Sequence, residues 1–198
     1  MSKANKSNKA IKYRLYPNDE QKVMFAKTFG CCRFVYNQLL ALQKQRYKDG
    51  ESHLSKLKSN EFATRTLKKD YDFLKEIDKF AVSNAVFHLA DAYDRFFKKQ
   101  NHFPKFKSKR KSKKSYTTNF TNNNILIGKN VIKLPKVGMV KAVIHKLPKD
   151  DWKLKSVTVS QDSVGNYFAS VLFEYEQEDI PSVSKSSTNA IGLDYKSD

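Results

Sequence analysis

Residues 98–114 read KKQNHFPKFKSKRKSKK, nine lysines and arginines with no acid among them, interleaved with His102, Phe103, Pro104 and Phe106. This block holds half of the formal net charge of +18 carried by the 198-residue chain. Crowding so much like charge costs self-repulsion, and the partner that offsets it is a polyanion whose released counterions drive association. Lys105, Lys107, Lys109, Arg110, Lys111, Lys113 and Lys114 are expected to contact phosphates, because long cationic side chains follow a sugar–phosphate backbone without base-specific geometry. Phe103, Phe106 and Tyr116 have flat faces that stack on bases, and the same rings would equally anchor the basic segment to a core. A solvated linker that touches nothing is the plainer reading of a charge run, and the density of this one argues against it.

Other residue types offer less. Cys31 and Cys32 are adjacent within a helical pattern, a spacing that suits neither an ordinary disulfide nor a Cys-x-x-Cys zinc knuckle, so packed thiols are expected. His53, His88, His102 and His145 are scattered without metal-ligand spacing. Arg33 and Asn37 lie four apart on one helix face, where they would contact a phosphate and a base edge or bond each other. Ser83 and Asn84 are expected to begin a helix; the asparagine would pair with adenine or serve as a cap. Arg14 and Tyr16 stand on a strand edge beside Pro17, where packing also accounts for the tyrosine. Asp194 ends an apolar strand-like step, NAIGLD, a place where an aspartate is ordinarily a turn or cap residue.

Periodicity says which elements position these residues. Positions 10–16 alternate Ile11, Tyr13 and Leu15 against Lys12, Arg14 and Tyr16, the signature of a half-buried strand. Pro17 ends it, and Asn18 followed by Gln21 forms a capping box at a helix start. Phe25, Phe29, Cys32, Tyr36 and Leu39 make one apolar stripe, with Gly30 allowing a bend; a second helix is expected over 54–69. Val82, Ala85, Val86, Leu89, Tyr93 and Phe96 stripe a third helix, and three such helices can bury one another as a small bundle. After the basic block the period returns to two. Short strands ILI and VIKL precede longer ones at 137–145, 154–161 and 167–175, the last two joined by a turn holding Gly165 and Asn166. One strand before the helices and several after them imply one sheet, or small barrel, with a helical insertion. Residues 180–189 read as a linker, and no repeat is present. The longest apolar runs are a few residues and the N-terminus lacks a secretory core, so a soluble, cytoplasmic protein is expected, with no membrane partner.

Six blocks carry a family resemblance: RLYPNDEQ at 14–21, FGCCRFVYNQLL at 29–40, FPKFKSKRKSKKSYT at 103–117, IKLPKVGMVK at 132–141, SVTVSQDSVGNYFASVL at 156–172 and IGLDY at 191–195. In this order and spacing they resemble the N-terminal half of TnpB (OrfB) proteins, transposon-encoded RNA-guided DNA nucleases related to type V CRISPR effectors. The resemblance implies an α+β fold: a small antiparallel β-barrel of wedge-like form, split by an inserted helical bundle and followed by the first strand of an incomplete RuvC/RNase H-like domain. The corresponding divisions are 1–16 with 115–180 for the barrel, 17–100 for the helical recognition insertion, 101–114 for the basic segment and 181–198 for the linker and nuclease strand.

The resemblance further implies that barrel and helices clamp a guide RNA from the transposon end against target DNA and read a short adjacent motif. Arg14, Tyr16, Ser83 and Asn84 fall where relatives make such contacts. Asp194 matches one of three carboxylates that hold two Mg²⁺ ions for phosphodiester cleavage. Tyr195 and Lys196 replace the small apolar residue and glycine of many relatives, and the sequence ends four residues after Asp194. The other carboxylates and the family's zinc ribbon lie beyond it, so this polypeptide alone is expected to bind no cofactor and not to cleave, as a fragment or a decayed copy. A nuclease-inactive regulator using the same surface, and a plain helix-turn-helix protein with its turn within 29–40, are the alternative readings.

Overall fold

The computed structural model describes residues 5–177; Asp194 and the expected linker and nuclease strand lie outside them. Strand β1 (Asn5–Tyr16) is followed by helix α1 (Asp19–Lys48). Helix α2 (Lys56–Glu61) runs through a π-helical turn, Phe62–Leu67, into the short α3 (Lys68–Asp70), and a 3₁₀ turn, Asp72–Lys75, precedes α4 (Lys79–Phe97). Six strands follow: β2 (Lys114–Asn119), β3 (Leu126–Ile127), β4 (Val131–Leu134), β5 (Gly138–Val143), β6 (Lys153–Gln161) and β7 (Tyr167–Gln177).

All seven strands form one antiparallel sheet in the order β2-β6-β7-β1-β5-β4-β3. The first of the described strands in chain order is therefore central. β1 pairs along β7 from Asn5↔Gln177 to Leu15↔Tyr167, and its last residues pair with β5, Arg14↔Val143 to Tyr16↔Lys141. Its alternation is as the period-two pattern requires: Ile11, Tyr13 and Leu15 are buried, whereas Tyr16 is 54% exposed. The ladder begins five residues earlier than the apolar alternation, because pairing with β7 orders the polar stretch before Ala10 as well.

Asn18 caps α1 as expected: its Oδ1 accepts the Gln21 amide at 2.9 Å, and Gln21 Oε1 accepts the Asn18 amide at 3.1 Å. The stripe of Phe25, Phe29, Cys32, Tyr36 and Leu39 is buried. Phe25 meets Tyr167 of β7 and, with Phe29, Tyr116 of β2, at centroid distances of 5.4–6.3 Å, which seats α1 on the sheet. Gly30 does not interrupt this helix, and the turn of the alternative helix-turn-helix reading does not lie within 29–40, because all 30 residues form one α-helix. The flanking i, i+4 hydrogen bonds and a continuous buried stripe outweigh the weak preference of one glycine for a break.

α4 starts four residues before Ser83, with Asp78 as its N-cap, so neither Ser83 nor Asn84 begins the helix. Asp78 accepts the Ala81 amide at 3.3 Å and the Thr118 hydroxyl at 2.7 Å, tying the start of α4 to β2. Among the described residues no helix is long and apolar enough to cross a membrane.

Candidate nucleic-acid interface

The chain between α4 and β2 carries the basic block across α1. Pro104 is buried, fixing the block at its start. Further on, the Asn37 side chain clamps Lys107 on both sides of its backbone: Nδ2 donates to the Lys107 carbonyl at 2.9 Å and Oδ1 accepts the Lys107 amide at 2.8 Å. Two serines then shape a turn. Ser112 Oγ accepts the Ser108 amide at 2.9 Å, Ser108 Oγ accepts the Lys111 amide at 3.0 Å, and the Ser112 amide donates to the Ser108 carbonyl at 3.1 Å. Within this serine-pinned turn Lys109, Arg110 and Lys111 all project to solvent. Among the described residues none of the nine cations of 98–114 is in an ion pair. Unneutralised like charge on an ordered scaffold leaves the field of the block open to an external anion.

The expected contact residues separate into those presented and those consumed. Lys105, Lys109, Arg110, Lys111, Lys113 and Lys114 are exposed. Lys107 is not a free phosphate ligand: its ammonium lies 4.0 Å from the Tyr36 ring centroid, half-buried, and desolvation pulls its pKa below the usual lysine value. Asn37 is likewise committed to the backbone of Lys107 rather than to Arg33 or a base. Arg33 remains half-buried beside Lys113 in a shallow cleft between α1 and the block.

Tyr116 cannot stack on a base, because it is 3% exposed and packed on Phe25 and Phe29. Asn84 is half-buried and its Nδ2 donates to Phe80 and Thr117 carbonyls at 2.9 and 3.0 Å, holding α4 on β2, while Ser83 is half-buried beside it. Phe103 and Phe106 are 40% and 53% exposed, with the Lys44 ammonium 5.5 and 5.0 Å from their centroids. The charge block drew attention to these two rings, but Lys44, Phe97 and Tyr47 beside them carried no sequence signal.

Arg14 is linked to the far end of the block through one hairpin turn. Its guanidinium donates to Asn166 Oδ1 and lies 5.0 Å from the Phe168 centroid, near the exposed Tyr16. Lys114 donates to Gln161 Oε1 at 3.0 Å, and Gln161 in turn donates to the Gly165 carbonyl at 3.3 Å. The turn itself is rigid: Asp162 Oδ1 accepts the Val164 and Asn166 amides at 3.0 and 2.7 Å, and Gly165 supplies φ = +95°. The β6–β7 turn thus holds cations from β1 and from β2, on opposite sides of it.

Among the described residues no three His, Cys, Asp or Glu side chains converge, so these residues do not fit the two-Mg²⁺ centre of a nuclease and no cleavage step is assigned to them. Cys31 and Cys32 are buried free thiols; burial raises both, Cys32 to about 12, which keeps it protonated and inert.

The sheet with its helical insertion carries a cationic block without ion pairs among the described residues, and comparison with known proteins shows what the chain is similar to. Residues 7–52 match a family model described as a helix-turn-helix domain, that of OrfB proteins of the IS605 type. In this chain the matched segment comprises most of β1, all of α1 and no turn between two helices. A "Putative RNA-guided DNA endonuclease" of Streptomyces pristinaespiralis is 30% identical over 188 residues, covering 94% of this chain and 45% of that protein. InsQ of Escherichia coli (strain K12), similarly named, is 29% identical over 192 residues, covering 93% and 44%. A virulence protein, VsdF, of Salmonella dublin is 32% identical over 111 residues, covering 51% of this chain and 93% of its own length. The chain belongs to the TnpB/OrfB family, and spans about half the length of the two endonuclease-named relatives.

Proposed function

We propose that this chain is the nucleic-acid-holding half of a TnpB-type RNA-guided DNA endonuclease, gripping a guide RNA from the transposon end and the DNA it pairs with. The observation that carries the reading is the serine-pinned turn, which presents Lys109, Arg110 and Lys111 to solvent without an acidic partner. Such a turn suits phosphate tracking rather than base reading, because three long cations on a short loop fit many backbone geometries. On this reading the antiparallel sheet would be the wedge-like barrel of the family and the helices between β1 and β2 its recognition insertion. Asp194 would belong to the RuvC-type centre, in which three carboxylates hold Mg²⁺ to activate water. Cutting then requires all three carboxylates of that centre.

The test is recovery and sequencing of the nucleic acid bound to the protein in cells. A discrete RNA from the end of the mobile element is the expected result. Duplex DNA without RNA would overturn the guide-RNA reading. Replacing Lys109, Arg110 and Lys111 together by alanine should reduce the recovery.

A further inference from the structure

The C-terminal ends of α1 and α4 and the start of the basic block enclose a groove of about 830 Å³, within the size range of sites for small organic groups. Its wall is aromatic. Phe103 meets Tyr93 and Phe96 edge-on at 5.6 and 5.2 Å, His53 meets Tyr93 edge-on at 4.6 Å, and Phe97 stacks on Tyr93 at 6.1 Å. Four large rings of its lining are open to solvent: Phe97 is 64% exposed, Phe103 40%, Phe106 53% and Tyr47 85%. A cluster of this kind on a chain otherwise rich in lysine is costly to leave wet, and marks a binding surface.

Charge selects the occupant. Lys44 and Lys48, one turn apart on α1, line the groove, and exposed Lys105 lies between Phe103 and Phe106 in sequence. The acid in the lining, Glu51, is already paired with Arg46. An apolar peptide or a second copy of this strongly basic chain would bring no charge to meet these lysines. An unstacked base has π faces for the rings and carries its own phosphate for the ammonium groups. Lys44 now covers Phe103 and Phe106, within reach of both rings; a base taking that place would release the ammonium to the neighbouring phosphate.

The geometry points to a single-strand-specific subsite in which bases flipped out of a nucleic acid stack on Phe97, Phe103 and Phe106 while Lys44 and Lys48 hold their phosphates. This rests on the nucleic-acid reading above and adds a discrimination that the cationic belt cannot make, since a belt attracts single and double strands alike.

Short oligoadenylate RNA and a blunt RNA duplex of equal length are the probes, titrated against the full chain and against Phe97→Ala/Phe106→Ala. Both rings are more than half exposed, so folding should survive, and circular dichroism checks it. The variant should bind oligoadenylate about tenfold or more weakly, as loss of stacking requires, and the duplex within about twofold of the parent. Replacing Lys109, Arg110 and Lys111 by alanine should weaken both probes together. Equal loss on both probes, or no loss on either, in the aromatic variant overturns the subsite and leaves the belt standing. A parent chain that binds neither probe defeats both readings. Self-association seen by sedimentation and abolished by the aromatic variant would make the occupant a second copy and overturn the subsite.

Discussion

Asn37 shows how one side chain can decide where a charged segment goes. Four positions from Arg33 it invited a reading as a base contact, and its amide instead closes both backbone groups of Lys107, 70 residues away. Asn37→Ala would leave a half-buried amide and carbonyl unpaired, at a cost of about 1–3 kcal/mol. Urea unfolding should register that loss, and trypsin should cut the 105–111 stretch faster than in the parent. Tyr116 makes the converse case. Its hydroxyl is buried and, among the described residues, has no hydrogen-bond partner, and burial raises its pKa strongly. Tyr116→Phe should therefore leave the thermal midpoint unchanged or raise it; a lowered midpoint would show that the hydroxyl is satisfied in the folded protein. Neither role was legible in the sequence, because both depend on partners from distant segments, and residue type alone cannot separate a ring that stacks on a base from one that packs on Phe25.

At the level of elements, local chemistry was readable. The capping box at Asn18, the stripe of α1, the stripe of α4 and the Gly165 turn are each encoded within a few residues, and all are present. Gly30 does not break α1, because a glycine's preference is small beside the cooperativity of a 30-residue helix. A methyl group there would meet nothing nearer than Arg33 Nη2 at 4.0 Å. Gly30→Ala should thus stabilise the protein by about 0.5–1 kcal/mol, through the lower entropy of the unfolded chain; a thermal melt that moves downward would show that the helix needs a break there. The expectation that α4 begins near Ser83 failed for a similar reason. Asp78 is the better cap, and its second bond, to Thr118, comes from β2 and is invisible to any local pattern.

For the whole molecule, charge is the property that sequence conveys most directly. Lysines and arginines exceed acids by 18, and the fold leaves the densest part of that excess unneutralised. Binding to RNA should weaken steeply with salt, and alanine at Lys109, Arg110 and Lys111 should flatten the logarithmic slope by about 2–3 units. An unchanged slope would place the phosphates elsewhere. What the sequence could not convey is sheet order: periodicity marks strands without saying that β1 lies between β7 and β5. That central place shapes how the chain is made. β1 leaves the ribosome before the other described elements, yet its long ladder needs β7, which ends 161 positions after Tyr16 does, at Gln177. At ordinary translation rates β1 waits roughly 8–30 s for β7 to begin to emerge. During that interval α1 to α4 can pack on one another while the nascent strand stays open, so the earliest of the described strands is among the last to be sealed.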